Sequence, residues 1–206
     1  MTDKIFAYII PRKEKFIAGF KVVYFLIAVA AFFAARSLYY EDRNAAFFYS
    51  LGVNSGQAGL ICYIITLIPG MMGRYGVRNK FLSLLNIFRR YIGILMYLFA
   101  LTHFLLVRAI FFISTGIFIP PVLFEIFGSL ALSLLFFLFI TSNDFSVTKL
   151  GKWWNRLHKL TYPAMGFIFL HVAMQRVSIW SVAMGVIIVL EVGSVVSMLG
   201  RRLKKR

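Results

Sequence analysis

The sequence predicts an all-α integral membrane protein, a six-transmembrane-helix bundle with both termini in the cytoplasm. The first observation behind this prediction is composition: 61% of the 206 residues are hydrophobic and only 15% are charged, with a mean hydropathy of +0.83. A soluble domain is about half apolar and about a quarter charged. The second observation is the grouping of the apolar residues into long segments, and the third is the placement of the basic residues between those segments.

Six apolar segments are long enough, or nearly so, to cross a bilayer core of about 30 Å, which needs roughly 20 residues per helix. Because lipid offers no water to backbone groups, each segment is expected to be helical. The first segment has 20 residues, more than the apolar core of a signal peptide, so we expect a retained helix. The segments are residues 16–35, 57–72, 91–113, 121–140, 160–175 and 179–199.

The sequences of three connections between these segments predict local structure. Residues 36–56 are polar and have room for a short helix. Residues 77–90, VRNKFLSLLNIFRR, mix apolar and basic residues at helical spacing, so we predict a helix that lies along the cytoplasmic interface. Pro120 and Pro121 mark the start of the fourth helix. No internal repeat and no room for a soluble domain are evident, so we expect one membrane domain over residues 1–206.

The basic residues decide the predicted orientation. If the chain crosses six times, 18 of its 23 lysines and arginines lie on the side of the termini. An excess of bases marks the cytoplasmic side. Because these bases cluster beside apolar runs, the net charge of +16 does not predict a nucleic-acid partner, and membrane lipid is the expected surrounding. The single cysteine, Cys62, excludes an internal disulfide and is expected to serve packing.

Two of the three histidines are predicted to lie at the same depth in the membrane. His103 follows the basic flank of the third helix by 13 residues, and His171 follows that of the fifth helix by 12, which places them about 20 and 18 Å deep. Helical bundles build cofactor sites from facing side chains, so the pair could supply both axial ligands of a heme iron. The alternative is a buried polar pair that bridges two helices, although ionisable groups inside membranes are usually functional.

An arginine follows each of these histidines by five residues, Arg108 after His103 and Arg176 after His171. Each arginine lies about 7.5 Å closer to the outer surface than its histidine. Arginine pairs carboxylates in bidentate fashion, which would suit heme propionates. Five residues do not share one α-helical face, so the long side chains would have to swing inward, and plain interfacial snorkelling is the alternative.

The third histidine, His158, lies 13 residues before His171, at the cytoplasmic edge. The third helix offers Arg89 and Arg90 at that level, so an inner heme would lack an obvious second ligand. An ordinary interfacial histidine is the alternative. Glu191, inside the sixth helix, could be a proton relay, a quinone contact or an acid paired with a neighbouring hydroxyl.

Two stretches resemble the ferric-reductase-like transmembrane superfamily. They are RRYIGILMYLFALTHFLL (residues 89–106) and ITSNDFSVTKLGKWWNRLHKLTYPAMGFIFLHV (residues 140–172), with a looser match in SGQAGLICYIITLIPGMMGRYG (residues 55–76). The resemblance covers about residues 56–177 and is closest to the MsrQ (formerly YedZ) family, the heme-bearing membrane subunits of bacterial periplasmic methionine-sulfoxide reductase systems. It implies a six-helix heme b protein in the bacterial inner membrane, with His103, His158 and His171 as ligand candidates and one or two hemes.

The same resemblance implies electron flow from the cytoplasm to a periplasmic molybdenum-cofactor sulfoxide reductase. The superfamily includes the membrane half of NADPH oxidases, but this chain lacks their flavin and nicotinamide domain. Electrons would therefore come from a cytoplasmic flavin reductase, from membrane quinol, or through FMN bound at the cytoplasmic face.

The sequence thus predicts a transmembrane electron-transfer subunit with no complete active site of its own. His103 and His171 would hold the outer heme. His158, with Lys152, Arg156 and Arg89 nearby, would mark the inner site for a second heme, flavin or quinol, since about 20 Å between the two levels is long for one electron hop. Two alternatives stay open: a terminal reductase of ferric iron, oxygen or an extracellular flavoprotein, and a non-redox transporter or assembly factor.

Overall fold

The computed structural model describes residues 2–40 and 45–204, and this part of the chain is helical throughout, with short connections and no strand. The all-α prediction is confirmed. Five helices are long and apolar enough to cross a membrane, which makes the chain a multi-pass membrane protein. The helices are α1 Thr2–Ile9, α2 Lys13–Tyr40, α3 Ala45–Tyr75, α4 Lys80–Phe104, α5 Ile110–Thr115, α6 Leu123–Ile140, α7 Asp144–Leu150, α8 Lys152–Leu157, α9 Thr161–Gln175 and α10 Ile179–Leu203.

Each of the six predicted segments is helical except for Pro121 and Val122, since α6 begins only at Leu123, and several helices extend beyond the apolar run. The polar connection 36–56 is not a loop with a short helix: α2 continues to Tyr40 and α3 begins at Ala45, while residues 41–44 lie outside the described part. α9 has 15 residues, the shortest of the six predicted spans. The count of six crossings and the side of the termini stay predictions.

The predicted interfacial helix at residues 77–90 is wrong as a separate element. Residues 80–90 form the first turns of α4 and run without a break into its apolar part. The Asn79 side chain caps this helix by accepting a hydrogen bond from the Leu82 backbone N–H at 2.8 Å. The chain turns instead just before this cap, where Gly76 adopts a positive φ of 89°.

The tightest helix pairs are α3 with α4 and α6 with α9. α10 packs on α3 and α9, and α2 lies at the edge of the bundle against α4 and α5. The buried core runs between the two tight pairs and includes Tyr63, Met96, Leu135, Ala164 and Met184. This arrangement brings α4 and α9, the helices of His103 and His171, into the centre of the bundle.

Candidate functional site

His103 and His171 face each other across the bundle. Their ring centroids lie 6.2 Å apart, and the ring planes make an angle of 75°. His103 comes from α4 and His171 from α9, and both side chains are half-buried. Two helices that are far apart in sequence therefore present imidazoles to one shared space.

Each of the two imidazoles is held by a backbone carbonyl on a neighbouring helix. Nδ1 of His103 lies 2.9 Å from the Gly52 oxygen on α3, and Nδ1 of His171 lies 2.8 Å from the Phe124 oxygen on α6. A carbonyl only accepts, so Nδ1 carries the proton, and in a neutral imidazole the lone pair is then on Nε2. Metal-ligating histidines almost always donate their other N–H in this way. Nε2 of both imidazoles is thus free to bind a metal.

The spacing of the two rings suits one metal held between them. A bond between a metal and an imidazole nitrogen is about 2 Å long, so two imidazoles on opposite sides of one metal have centroids roughly 6 Å apart. Two nitrogens alone do not complete a metal site, and no group of three or more His, Cys, Asp or Glu that could hold a metal occurs among residues 2–40 and 45–204. A porphyrin brings four nitrogens of its own, so the residues present fit a heme iron.

The two histidines line a cavity of about 230 Å³. Its walls are mainly apolar, and its lining includes Val53, Leu60, Met96, Phe104, Leu132, Leu135, Ile168 and Trp180. Charged side chains also line the space: Arg108, Glu125 and Arg176, at the end of the cavity that the sequence predicts to be the outer one. A cavity with apolar walls, two facing nitrogens and a charged mouth suits an amphiphilic ring whose acidic edge points outward.

Arg108 reaches this cavity because the helix changes its winding. Residues Leu105–Ala109 form a π-helix, and the backbone N–H of Ile110 donates to the Leu105 oxygen five residues earlier. A π-turn holds one more residue than an α-turn, so Arg108 comes closer to the face of His103 than an α-helix would place it. In a regular α-helix, Arg108 and His103 would lie on different faces. The π-turn brings the two side chains closer to one face.

The two outer arginines have different partners. Arg108 forms an ion pair with Glu125 of α6 at 3.7 Å and donates a hydrogen bond to the Ile119 carbonyl. Arg176 follows the last residue of α9 in an extended conformation and is exposed. Within the described ranges Arg176 has neither a hydrogen bond nor an ion pair. Arg176 is therefore the arginine whose charge is available to a carboxylate at the cavity mouth.

A second cavity, of about 430 Å³, lies around His158. Arg89, Arg90 and Lys159 contribute positive charge to its lining, and no carboxylate belongs to that lining in the described part of the chain. Three residues line both cavities and separate them: Tyr63, Met96 and Leu135. The two cavities are thus neighbours, and the second one suits a ligand that carries negative charge.

His158 is fixed in this second cavity by a ring contact and a hydroxyl. Its ring stacks on Trp154 at a centroid distance of 3.9 Å, and its Nε2 lies 3.3 Å from Thr141 Oγ1. Burial, and then the positive charge of Arg89, lower the pKa of His158 to about 4. The imidazole is consequently neutral at physiological pH, which is the form that binds metals.

The structure does not bring Lys152 and Arg156 into the second cavity. Both are exposed, and Arg156 lies over the Trp153 ring at 4.7 Å. Lys159 and Arg90 line the cavity instead. Arg90 also bonds Asp144 at 2.5 Å, and this guanidinium lowers the pKa of the Asp144 carboxyl.

Glu191 lines neither cavity. Its carboxylate forms an ion pair with Arg74 of α3, and Arg74 Nε also donates to Ser194 Oγ at 2.8 Å. The predicted pairing with a neighbouring hydroxyl is met only at the backbone: Ser194 Oγ donates to the Glu191 carbonyl at 2.7 Å, whereas the Glu191 carboxylate pairs with Arg74. The position of Glu191 does not favour a direct contact with a ligand in either cavity.

Most of the residues around these two cavities also belong to a stretch that matches a known protein family. The model of the family described as ferric reductase like transmembrane component matches residues 55–170. The chain belongs to the ferric-reductase-like transmembrane family. The matched residues contain His103 and His158, and His171 follows directly after the last of them. The resemblance that the sequence motifs indicated is confirmed.

Within this ferric-reductase-like family, the chain is similar to proteins named protein-methionine-sulfoxide reductase heme-binding subunit MsrQ. That of Brucella anthropi is 30% identical over 140 residues, which cover 65% of this chain and 58% of the relative. That of Brucella ovis is 33% identical over 94 residues, 42% of this chain and 41% of the relative. The chain thus spans about half the length of these curated relatives. No solved structure matches it.

Proposed function

We propose that this chain is a heme b electron-transfer subunit of the bacterial inner membrane, which carries electrons from a cytoplasmic or quinol donor to a periplasmic reductase. The observation that carries the proposal is the pair of facing imidazoles, His103 and His171, each held at Nδ1 by a carbonyl. Family membership supports a membrane redox role. The similar Brucella proteins are named as heme-binding subunits, which supports the cofactor.

In this proposal His103 and His171 would hold the iron of the outer heme, which when bound would supply a one-electron redox centre. The Gly52 and Phe124 carbonyls orient the two rings and keep Nε2 free for iron. The apolar lining excludes water from the ligands. Arg176 lies at the mouth as the partner of a propionate, while Arg108 with Glu125 closes the outer end of the site between α4 and α6.

The cavity around His158 is proposed as the inner, electron-receiving site. Neutral His158 offers a nitrogen ligand, and the positive lining suits the propionates of a second heme, the phosphate of FMN, or a quinol headgroup. Lys152 and Arg156 lie outside it, where they would face a cytoplasmic flavin reductase as donor. The shared wall of Tyr63, Met96 and Leu135 keeps the two sites in contact.

The acceptor in this proposal is a periplasmic molybdenum-cofactor reductase that repairs methionine sulfoxide in proteins. The relatives' name supports a methionine-sulfoxide reductase partner. The distribution of basic residues supports the direction, because most of them lie on the His158 side and an excess of bases is typical of the cytoplasmic side. The His103 and His171 side would then face the periplasm. Six crossings and cytoplasmic termini are part of the same proposal.

The first test is optical spectroscopy of the purified protein, produced with an adequate heme supply. We expect a reducible b-type spectrum of low-spin heme with two nitrogen ligands. Membrane vesicles that contain the chain and a periplasmic sulfoxide reductase should then reoxidise this heme when methionine sulfoxide is added, and vesicles without the reductase should not. A folded, colourless protein would refute the proposal.

Replacing Arg176 by Gln is expected to lower the midpoint potential of the outer heme. Loss of a positive charge near the propionates disfavours the reduced form, which carries one negative charge more. An exposed charge pair is worth about 0.2–1 kcal/mol, which corresponds to roughly 10–40 mV for one electron. Redox titration of the purified protein measures the shift. Arg156→Gln, at the opposite end of the bundle, is the matched control, and equal potentials for both variants would leave Arg176 only an interfacial role.

A further inference from the structure

We infer that Gly56 and Gly128 are positioning residues for the two facing histidines: each glycine forms the surface on which one imidazole rests. The inference rests on the proposed function for its consequence, but its geometric part concerns this chain's own residues. Neither glycine belongs to a turn or has a positive φ, since Gly56 lies inside α3 and Gly128 inside α6. Backbone conformation therefore does not explain why a side chain is missing there.

The contact of each glycine with its histidine is too close to leave room for a methyl group. A Cβ at Gly56 would lie 2.8 Å from Nδ1 of His103 and 3.0 Å from its Cγ. A Cβ at Gly128 would lie 2.7 Å from Nδ1 of His171 and 2.9 Å from its Cε1. Ordinary carbon contacts are about 3.5–4.0 Å, so an alanine at either position must displace the ring.

The same two helices also supply the carbonyls that fix the rings. The Gly52 oxygen, which bonds His103, lies one helical turn before Gly56 on α3. The Phe124 oxygen, which bonds His171, lies one turn before Gly128 on α6. In both places a carbonyl and, four residues later, a bare backbone hold one imidazole. The carbonyl binds the Nδ1 proton and so leaves Nε2 free for a metal. The glycine allows the imidazole ring to lie in direct contact with the backbone of the neighbouring helix.

Other helical glycines of the bundle do not show this contact. Gly59 lies on α3 less than one turn after Gly56, also lines the outer cavity, and would place a Cβ no closer than 3.4 Å to its neighbours. Gly166 lies on α9 before His171, and nothing lies within 4 Å of a Cβ there. Gly52 on α3 is packed as tightly, but a Cβ there would meet Val107 at 2.8 Å and not a histidine. Contact with a facing imidazole is thus what distinguishes Gly56 and Gly128 from the other described glycines.

The consequence for the site is a fixed separation of the two ligands. With a methyl group at Gly56, the His103 ring must move toward His171 or rotate, and either movement changes the 6.2 Å spacing and breaks the bond to Gly52. A methyl group at Gly128 would displace the His171 ring in the same way and break its bond to the Phe124 carbonyl. Overpacking of this kind typically costs enough to weaken binding by about tenfold or more.

The first arm of the test compares Gly56→Ala and Gly128→Ala with the controls Gly73→Ala and Gly166→Ala in purified protein. Nothing lies within 4 Å of a Cβ at either control glycine, and neither one lines the outer cavity. We expect the first two variants to hold heme roughly tenfold more weakly and to shift the low-spin electron paramagnetic resonance signal, which reports the geometry of axial imidazoles. The controls should match the unaltered protein. Equal heme retention and equal spectra in all four variants would overturn the inference.

The second arm needs no heme. In heme-free protein, Gly56→Ala should lower the unfolding temperature, whereas in a His103→Ala background it should be neutral, because the displaced ring is gone. Gly128→Ala with His171→Ala forms the equivalent cycle. If Gly56→Ala is equally harmful with and without the His103 ring, the glycine serves helix packing alone and the inference fails. Failure of the proposed function is seen separately, as unaltered protein that folds and takes up no heme.

Discussion

Replacing His103 by Ala is expected to abolish the low-spin signal of the outer heme, with at least about a tenfold loss of heme bound there. The rings of His103 and His171 face each other with centroids 6.2 Å apart, and Nδ1 of each lies within hydrogen-bond distance of a carbonyl. No other histidine of the described residues lines the cavity. An axial imidazole binds the iron directly, and loss of even an outer partner of a metal ligand typically costs 10–100-fold in affinity. Heme quantification and low-temperature electron paramagnetic resonance measure both effects.

The two histidines should behave as one unit. His171→Ala is expected to give the same phenotype, and the double variant should be no worse than either single one, because residues that act together are not additive. His158→Ala is the matched control: it removes a half-buried histidine but leaves the outer cavity intact. Full retention of the outer low-spin signal in His103→Ala would show that the two rings only bridge helices.

The meeting of these two histidines could be predicted because a helix rises by a fixed amount per residue. Depth counted from Arg90 and from Lys159 placed His103 and His171 at one level, and the structure brings them to 6.2 Å. The calculation needed only two straight helices that start at the same interface. Both stretches are helical between the flank and the histidine, the first within α4 and the second as the end of a 3₁₀ turn followed by α9.

The same reasoning fails where the backbone departs from an α-helix. Residues 105–109 have no sequence feature that marks a π-turn, yet this turn is what brings Arg108 toward the face of His103. At the inner side, the connection folds as α7, α8 and a short 3₁₀ turn at His158–Leu160. Because the chain changes direction here, counting residues along one helix no longer predicts which side chains lie near His158. Lys159 lines the cavity, and Lys152 does not.

The glycine contacts lie beyond sequence reasoning for a different reason. A glycine in an apolar helix is compatible with close helix packing, with a kink or with no role. Only the position of the facing imidazole shows that Gly56 and Gly128 are in contact with ligands while Gly59 is not. Glu191 is a similar case, since its partner Arg74 lies 117 residues away in the chain.

Breaking the ion pair between Arg74 and Glu191 is expected to lower the unfolding temperature by about 10 °C, without removing the outer heme. Glu191 is only 3% exposed, and its second carboxylate oxygen has no hydrogen-bond partner in the described part of the chain. Removing one partner of a buried pair typically costs about 3–5 kcal/mol, and 1 kcal/mol is roughly 2–4 °C in a chain of this length. The change is Arg74→Met or Glu191→Leu, and the measurement is thermal unfolding in detergent.

The double variant separates a lost attraction from a buried charge left without a partner. Arg74→Met leaves the Glu191 carboxylate in an apolar surrounding, and Glu191→Leu leaves the Arg74 guanidinium close to Arg89, because both guanidiniums lie within 4 Å of a Cβ at Gly70. With both changes neither position of the pair is left with a charge that has lost its partner, so most of the stability should return. Glu14→Gln, in the exposed pair with Lys13, is the control and should be neutral. A double variant as unstable as the single ones would mean that the pair stabilises α3 against α10 by its hydrogen bonds, because the orphaned charge would then contribute little.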